Sequence, residues 1–188
     1  MSGANAVWRG ELVAVKWDRN FRQKDLQHLW SSFFHASWRK HNRLTPEQLN
    51  QWIAFLKHEG NEWSESANVA CNAGRTVLLD FLQNISGLTG IQYFAVGTGS
   101  GTPTANDTQL FTEYYRQAIS SYTISGNQLL LTTTFTSAVG NTTYTECGAF
   151  GNGATSTANS GTLFAHAPYS FTKTSSEALT NLYTITFT

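Results

Sequence analysis

Three charged side chains in the second half of the chain have the types and the spacing that could support chemistry. Glu113, Arg116 and Glu146 stand nearly alone there among threonine, serine and glycine residues. Two carboxylates are the machinery of glycoside hydrolysis, where one acts as acid and the other as base or nucleophile. Arg116 is a natural partner for either carboxylate, because charges in such a setting are rarely left buried and unpaired. We therefore predict a structural ion pair between Arg116 and Glu146 that joins the segments QLFTEYYRQ and TYTECGAF.

The other motifs indicate neither a nucleophile nor a bound group. The glycine-rich run at 97–101 follows a predicted strand, but its third glycine is misplaced for the dinucleotide-binding motif G-x-G-x-x-G. Cys147 adjoins Glu146, and a neighbouring carboxylate raises the pKa of a thiol, which disfavours nucleophilic attack. His28 and His35 could share a helix face, but no third metal ligand accompanies them. The sequence predicts no catalytic residue, no cofactor and no metal site.

Composition narrows the class of protein further. The 188 residues carry 12 basic and 12 acidic side chains, and only 13% of residues are charged. A general nucleic-acid binder would carry a basic excess, and a membrane span would need an apolar run of about 20 residues. The first residues also lack the pattern of a secretory signal. We therefore expect an intracellular protein with no nucleic-acid partner and no membrane span, whose aromatic-rich, weakly charged surface packs inside an assembly.

The first half of the chain predicts helices. Apolar residues recur at three- and four-residue spacing between Leu26 and Trp38, which is typical of one helix face. The sequence TPEQ at 45–48 predicts a second helix that begins with a capping box and ends near Gly60. A third helix is predicted over residues 66–82, where Gly74 would permit a close helix contact. The run ELVAVKW at 11–17 predicts a short strand before these helices.

The second half of the chain predicts strands. Its threonine content rises near residue 90, and threonine is β-branched and favours strands. Apolar or alternating runs include IQYFAV, QLLLTTTFT, TYTECGAF, TLFAHAPYSF and LYTITFT. The predicted fold class is α+β, a helical N-terminal part followed by an antiparallel, jelly-roll-like β-sandwich. We place a helical, Trp-rich docking region at 1–88 and the β-sandwich domain at 89–188.

The tryptophans suggest where the chain meets other proteins. All six lie in the first third of the sequence. They either fill the core of the helical part or anchor it against other subunits, since tryptophan is enriched at interface hot spots. Trp8, Trp17 and Trp63 fall outside the predicted helix faces and are our interface candidates.

An ordered series of motifs covers roughly residues 68–188: NVACNAGRTVLLDFL, IQYFAVGTGSGTPTANDTQLFTEYYRQAI, SGNQLLLTTTFT, TYTECGAFGN and GTLFAHAPYSFTK, followed by an alternating strand. The series resembles a recurrent β-domain of tailed-bacteriophage virion proteins, the tail-fibre, tail or minor structural proteins. The residues that fit its pattern are Asn72, Ala73, Gly74, Gly97, Gly99, Leu110, Glu113, Arg116, Glu146, Gly148, Phe150, Gly161 and Phe164. His166 stands where that pattern has arginine, so the contact expected of that arginine is in doubt here.

The resemblance implies a structural role and no catalysis. It implies a virion protein, assembled in the host cytoplasm, that forms part of the tail, fibre, neck or capsid decoration. Its partners would be other virion proteins and further copies of itself, with a trimer as the expected number. One alternative is a receptor- or glycan-binding tip, in which Tyr114, Tyr115, Tyr122 and Tyr169 stack on sugars of the host surface. A second alternative is an envelope-degrading hydrolase that uses Glu113 and Glu146.

Overall fold

The computed structural model describes residues 8–18, 25, 43–60 and 62–187, which include eleven strands and two helices of more than one turn. The helices are α1 (Pro46–Glu59) and α2 (Asn72–Leu82). The strands are β1 (Trp8–Asp18), β2 (Arg43–Leu44), β3 (Glu62–Ala67), β4 (Val69–Ala70), β5 (Ile91–Gly97), β6 (Glu113–Ala118), β7 (Ser121–Ser125), β8 (Gln128–Phe135), β9 (Thr143–Gly151), β10 (Thr162–Thr172) and β11 (Glu177–Phe187).

The strands form two sheets that pack face to face. A six-stranded sheet has the order β2-β7-β8-β11-β1-β3, and a five-stranded sheet has the order β4-β10-β9-β5-β6. All pairs are antiparallel except β2 with β7. One apolar cluster holds side chains of both sheets, among them Leu12, Leu131, Phe94 and Ala165, so the main core lies between the sheets. The predicted antiparallel sheet structure is confirmed, and its arrangement is typical of a β-sandwich.

The first strand is buried on both faces. Leu12 and Ala14 face the core between the sheets, whereas Val13, Val15 and Trp17 face the opposite side, because successive side chains of a strand alternate. Paired over its whole length with β11, and with β3 on its other side, β1 is an interior strand of the larger sheet. We predicted a helical N-terminal part. The structure instead places a long strand there, so this part is not helical throughout. Strands from both sides of residue 88 share one sheet.

Helix α1 confirms the predicted capping box. The hydroxyl of Thr45 accepts a hydrogen bond from the backbone N–H of Gln48, and the Gln48 side chain accepts one from the Thr45 N–H in return. Its buried residues Leu49, Trp52 and Leu56 pack on the outer face of the six-stranded sheet. The predicted helix at 26–38 lies outside the described residues. No helix in the described part of the chain combines the length and the apolar character that crossing a bilayer requires.

Helix α2 is shorter than predicted. It begins at Asn72 rather than near residue 66, because β3 and β4 occupy the preceding residues and pair with β1 and β10. Gly74 allows the helix to approach β10 closely. A Cβ atom at Gly74 would lie 2.5 Å from the Cα of Phe164, which is far inside van der Waals contact. The expectation that Gly74 permits a close contact is confirmed, with a strand as the partner.

Replacement of this glycine tests the contact. Gly74→Ala gains helix propensity, but the added methyl group pushes α2 away from the backbone of β10 at Phe164. We therefore expect a net loss of roughly 1–3 kcal/mol in the free energy of unfolding. Arg75→Ala, on the exposed side of the same helix, is the matched control and should change stability by less than about 0.5 kcal/mol. Urea unfolding of the three proteins measures the difference. A Gly74→Ala protein as stable as the wild type would contradict the close contact.

Candidate functional site

The outer face of the five-stranded sheet carries the charged residues that the sequence singled out. Arg116 pairs with Glu113: its Nε lies 2.6 Å from Oε1 and its Nη2 lies 2.7 Å from Oε2. The two side chains are 2% and 1% exposed. The predicted pair of Arg116 with Glu146 is wrong. Irregular pairing at the start of β6, where Gly97 pairs with Glu113 but Val96 pairs with Tyr115, offsets Glu113 from the strand's alternation and lets it meet Arg116.

Arg116 also holds the loop at 152–161 against the sheet. Its Nη1 donates to the backbone oxygens of Thr155 and Ser160, both at 3.1 Å, and its guanidinium lies 4.3 Å from the ring centroid of Phe150. The N–H of Asn159 donates to Glu113 Oε2 at 2.8 Å. The ion pair therefore satisfies polar groups of a loop that crosses an apolar surface.

Glu146 holds the loop at 98–112 in the same way. Its Oε1 accepts hydrogen bonds from the backbone N–H groups of Gly99 at 3.0 Å and Thr112 at 2.7 Å. Its Oε2 accepts one from the N–H of Phe111 at 2.9 Å. A Cβ atom at Gly97 or Gly99 would lie 2.5 Å from Oε1, so these glycines are needed for the close approach of the carboxylate.

His166 joins Glu146 to a second carboxylate. Its Nε2 lies 2.9 Å from Glu146 Oε2, and its Nδ1 lies 2.6 Å from Asp107 Oδ2, with the imidazole fully buried. Each ring nitrogen thus faces a carboxylate oxygen, and the two contacts fix the orientation of the imidazole. The histidine thus takes the place of the arginine expected from the resemblance. The sequence pattern pointed to this position as a departure but did not indicate its partners.

Asp107 is held in its charged form by its neighbours. Burial acts to raise the pKa of its carboxyl group, but hydrogen bonds from the backbone and hydroxyl of Thr104 and from His166 outweigh burial and lower that pKa. Asp107 therefore links Thr104 to His166 in a chain of hydrogen bonds that ends at Glu146. No motif of the sequence had marked Asp107.

A third loop, at 136–142, is tied down by a lysine. Lys173 is buried, and its Nζ donates to Asn141 Oδ1 at 2.6 Å. Burial lowers the pKa of Lys173 to about 8. In the same loop Asn141 Nδ2 donates to the backbone oxygen of Ser137 at 2.9 Å. Each of these three loops is thus fixed by buried charged side chains: Arg116 and Glu113, Glu146, or Lys173.

Glu113 and Glu146, the two carboxylates considered for glycoside hydrolysis, hold loops of the fold in place. All four oxygens of Glu113 and Glu146 accept hydrogen bonds, and both side chains are buried. In this arrangement neither is free to protonate a leaving group or to attack a sugar. Burial raises the pKa of Cys71 to about 12. Burial, and then the charge of Glu146, raise the pKa of Cys147 well above its ordinary value. Among the described residues, no three metal-binding side chains are arranged to hold an ion.

A cavity of about 390 Å³ lies beside β6. It is lined by Tyr93, Ser156, Ala158 and every residue from Glu113 to Ala118. Tyr114 is 51% exposed, and Tyr115 also lines the cavity. Of the other tyrosines considered for sugar stacking, Tyr122 is exposed and donates to the backbone oxygen of Ile91. Tyr169 is buried in the core, so its ring cannot stack on a ligand.

The tryptophans predicted to lie at an interface differ in their exposure to solvent. Trp17 is 5% exposed and its Nε1 donates to Thr180 Oγ1 at 3.0 Å, so it belongs to the core of this chain and not to a surface. Trp63 is half exposed, and the Lys57 ammonium lies 4.4 Å from its ring centroid. Trp8 begins β1, and its side chain lies outside the described residues. Only Trp63 among the described side chains keeps the predicted surface position.

An exposed apolar patch at the end of α2 escaped the sequence analysis. Leu79, Phe81, Leu82 and Ile85 are all exposed, and Leu82 is 85% exposed. Single exposed apolar residues are ordinary, but four within seven residues make this segment a candidate contact surface.

Comparisons of the chain with protein-family models, with curated proteins and with solved structures found no match.

The anchoring role of Glu146 is testable by an isosteric change. Glu146→Gln removes the charge that faces His166 and places an amide NH₂ where an oxygen accepted, so we expect a loss of about 3 kcal/mol in the free energy of unfolding. Glu59→Gln, on an exposed side chain, should cost less than about 0.5 kcal/mol. Urea unfolding gives both values, and hydrogen exchange should show faster exchange at Gly99 and Thr112. Equal stability of the two variants would contradict the anchor.

The lowered pKa of Asp107 predicts a pH dependence. A carboxyl group whose pKa is lower when folded contributes stability above its ordinary pKa of about 3.9, and that contribution is lost as the pH falls through the folded value. Wild type should therefore exceed Asp107→Asn in stability at neutral pH, and the difference should shrink below about pH 4. Urea unfolding across this range tests the sign. A difference that stays constant down to strongly acidic pH would contradict it.

Proposed function

We propose that this chain is a non-enzymatic structural protein of a tailed-bacteriophage virion, part of its tail, fibre, neck or capsid decoration. The observation that carries the proposal is the apolar patch formed by Leu79, Phe81, Leu82 and Ile85, which we call the α2 patch. Exposure of such an apolar cluster to water is unfavourable in free energy, and burial against another protein removes this unfavourable contribution.

The distribution of charge supports the same role. Glu113 and Arg116 neutralise one another inside the chain, and Glu146 is buried against His166 rather than placed on the surface. The surface of the second half is left with few charges and many hydroxyl groups. Interface cores are likewise depleted of charge, so such a surface is suited to packing against neighbouring proteins.

The resemblance of the motif series to virion β-domains supports the location. Glu146 and Gly99, two residues of that series, meet in one hydrogen bond, and Gly74 and Phe164, two others, meet in one packing contact. We propose that the protein assembles in the host cytoplasm as a homo-oligomer and joins other virion proteins. In this proposal the protein docks onto the particle through Trp63 and the α2 patch, and the jelly-roll-like sandwich consists of the region 89–188 together with strands β1 to β4.

A second candidate function is binding of a host-surface glycan. The observation in its favour is the cavity beside β6, where Tyr93, Tyr114 and Tyr115 supply aromatic rings next to polar groups. Binding of purified protein to defined glycans on an array supports this candidate, and binding to none of them favours the scaffold role.

Location in the particle is tested by electron microscopy. Antibody raised against this chain and coupled to gold should label purified phage particles at one structural position. We expect labelled particles because a virion protein remains with the particle through purification. Detection of the chain only among unassembled proteins of the lysate would overturn the proposal.

The α2 patch provides a sharper test. Leu82→Glu places a charge at the most exposed apolar residue, so it should lower the amount of protein in purified particles by roughly tenfold, which corresponds to about 1.4 kcal/mol of binding. Because Leu82 is exposed, thermal unfolding of the isolated chain should be nearly unchanged. Ser170→Glu, at an exposed position on β10, is the control and should leave incorporation as it is. Equal incorporation of both variants would exclude the α2 patch as the docking surface.

A further inference from the structure

Strand β6 forms one edge of the five-stranded sheet in the described part of the chain. Among the described residues, the sheets end at β2, β3, β4 and β6. Strands β2 and β4 have only two residues each, and β3 contains Glu62 and Glu65. Short edges and edge charges are the common devices that stop a sheet from pairing with another chain. The exposed residues of β6, Tyr114 and Ala118, carry no charge and include no proline.

The cavity beside β6 follows this edge. It contacts every residue from Glu113 to Ala118. Successive side chains of a strand point to opposite faces of a sheet, so a cavity on one face would contact only every second residue. Contact with all of them indicates that the cavity reaches the edge of the strand, and Ser156 and Ala158 line it from the loop at 152–161. Space therefore lies beside the backbone of β6.

The backbone groups of β6 are directed into this space. The N–H of Ile119 donates to the oxygen of Gln92 on β5 at 2.8 Å. Alternation along an antiparallel pair then turns the N–H and C=O groups of Gln117 toward β5, and those of Arg116 and Ala118 away from it. These outward groups are the donors and acceptors that an added strand would use.

The edge is complementary to itself. In an antiparallel pair of two β6 strands centred on Arg116, Tyr114 of each copy lies opposite Ala118 of the other, so a large exposed ring meets a small side chain. Arg116 does not repel its counterpart strongly, because each guanidinium is paired with Glu113 of its own chain. The exposed side chains of this edge carry no charge, and its two charged side chains pair with each other. Both features favour a second β6 as the added strand.

We propose that β6 pairs in an antiparallel manner with β6 of a second copy of this chain, which joins the two five-stranded sheets into one continuous sheet. The inference names one interface of the assembly role proposed above and rests on it. A self-pairing edge relates two copies by a two-fold axis, so it predicts a dimer in place of the trimer expected from the resemblance.

Sedimentation equilibrium of the purified chain tests the pairing. We expect the wild type to form dimers, and we expect Ala118→Lys to weaken the dimer by at least roughly tenfold, because a lysine at this position places a charge on the shared edge. Ser170→Lys adds the same charge at an exposed position inside the five-stranded sheet and should dimerise like the wild type. Circular dichroism verifies that the variants are folded. Tyr114→Ala, which removes the ring but adds no charge, should also weaken the dimer.

Hydrogen exchange locates the contact. The amides of Arg116 and Ala118 should be protected in the wild-type dimer and exchange faster in Ala118→Lys at the same concentration. A wild-type monomer, a trimer, or a dimer that Ala118→Lys and Tyr114→Ala leave unchanged would overturn the pairing. The outcome is separable from the proposed function: gold-labelled particles with a monomeric chain contradict only the pairing. A dimer through β6 from a chain absent from particles contradicts only the virion role.

Discussion

A carboxylate buried on the outer face of a sheet needs enough partners to replace the water that it lost. Glu146 obtains them from the N–H groups of Gly99, Phe111 and Thr112 and from His166. Much of the surrounding structure follows from this requirement. Residues 97 and 99 are glycines because a Cβ atom would collide with the carboxylate, and the loop at 98–112 is folded back so that its amides reach it.

The same solution recurs in the two other loops. Arg116 with Glu113 fixes the loop at 152–161, and Lys173 fixes the loop at 136–142. A loop covering an apolar sheet carries backbone groups that helices and strands would satisfy internally. Here side chains of the sheet satisfy backbone groups of the loops at 98–112 and 152–161, and Lys173 holds the loop at 136–142 through the side chain of Asn141. Because Glu146, Arg116 and Lys173 are buried, the surface of the second half carries few charges. This weakly charged surface is the property on which we base the proposed assembly role.

The sequence predicted the local features well and the pairings of charges poorly. The capping box at Thr45 and the close contact at Gly74 depend on residues a few positions apart or on the size of one side chain. The partner of Arg116 depends on irregular pairing where β6 begins, and alternation alone places Glu113 and Arg116 on opposite faces. His166 and Asp107 lie 59 residues apart in sequence, and nothing local couples them. Strand β1 was predicted, but its place in the larger sheet was not, because only its pairing with β11 reveals that place.

The pairing of β1 with β11 has a consequence for how the chain acquires its structure. Trp8 lies opposite Phe187, so strands from the two ends of the described chain are neighbours in an interior position of the larger sheet. Bringing β1 and β11 together closes a loop of nearly the whole described chain, and the chain loses conformational entropy before stabilising contacts form. Folds dominated by such long-range contacts form slowly. During synthesis, β1 emerges from the ribosome long before its partner exists. Strand β3, its other neighbour, is translated early, but the pairing with β11 has to await almost the last described residues.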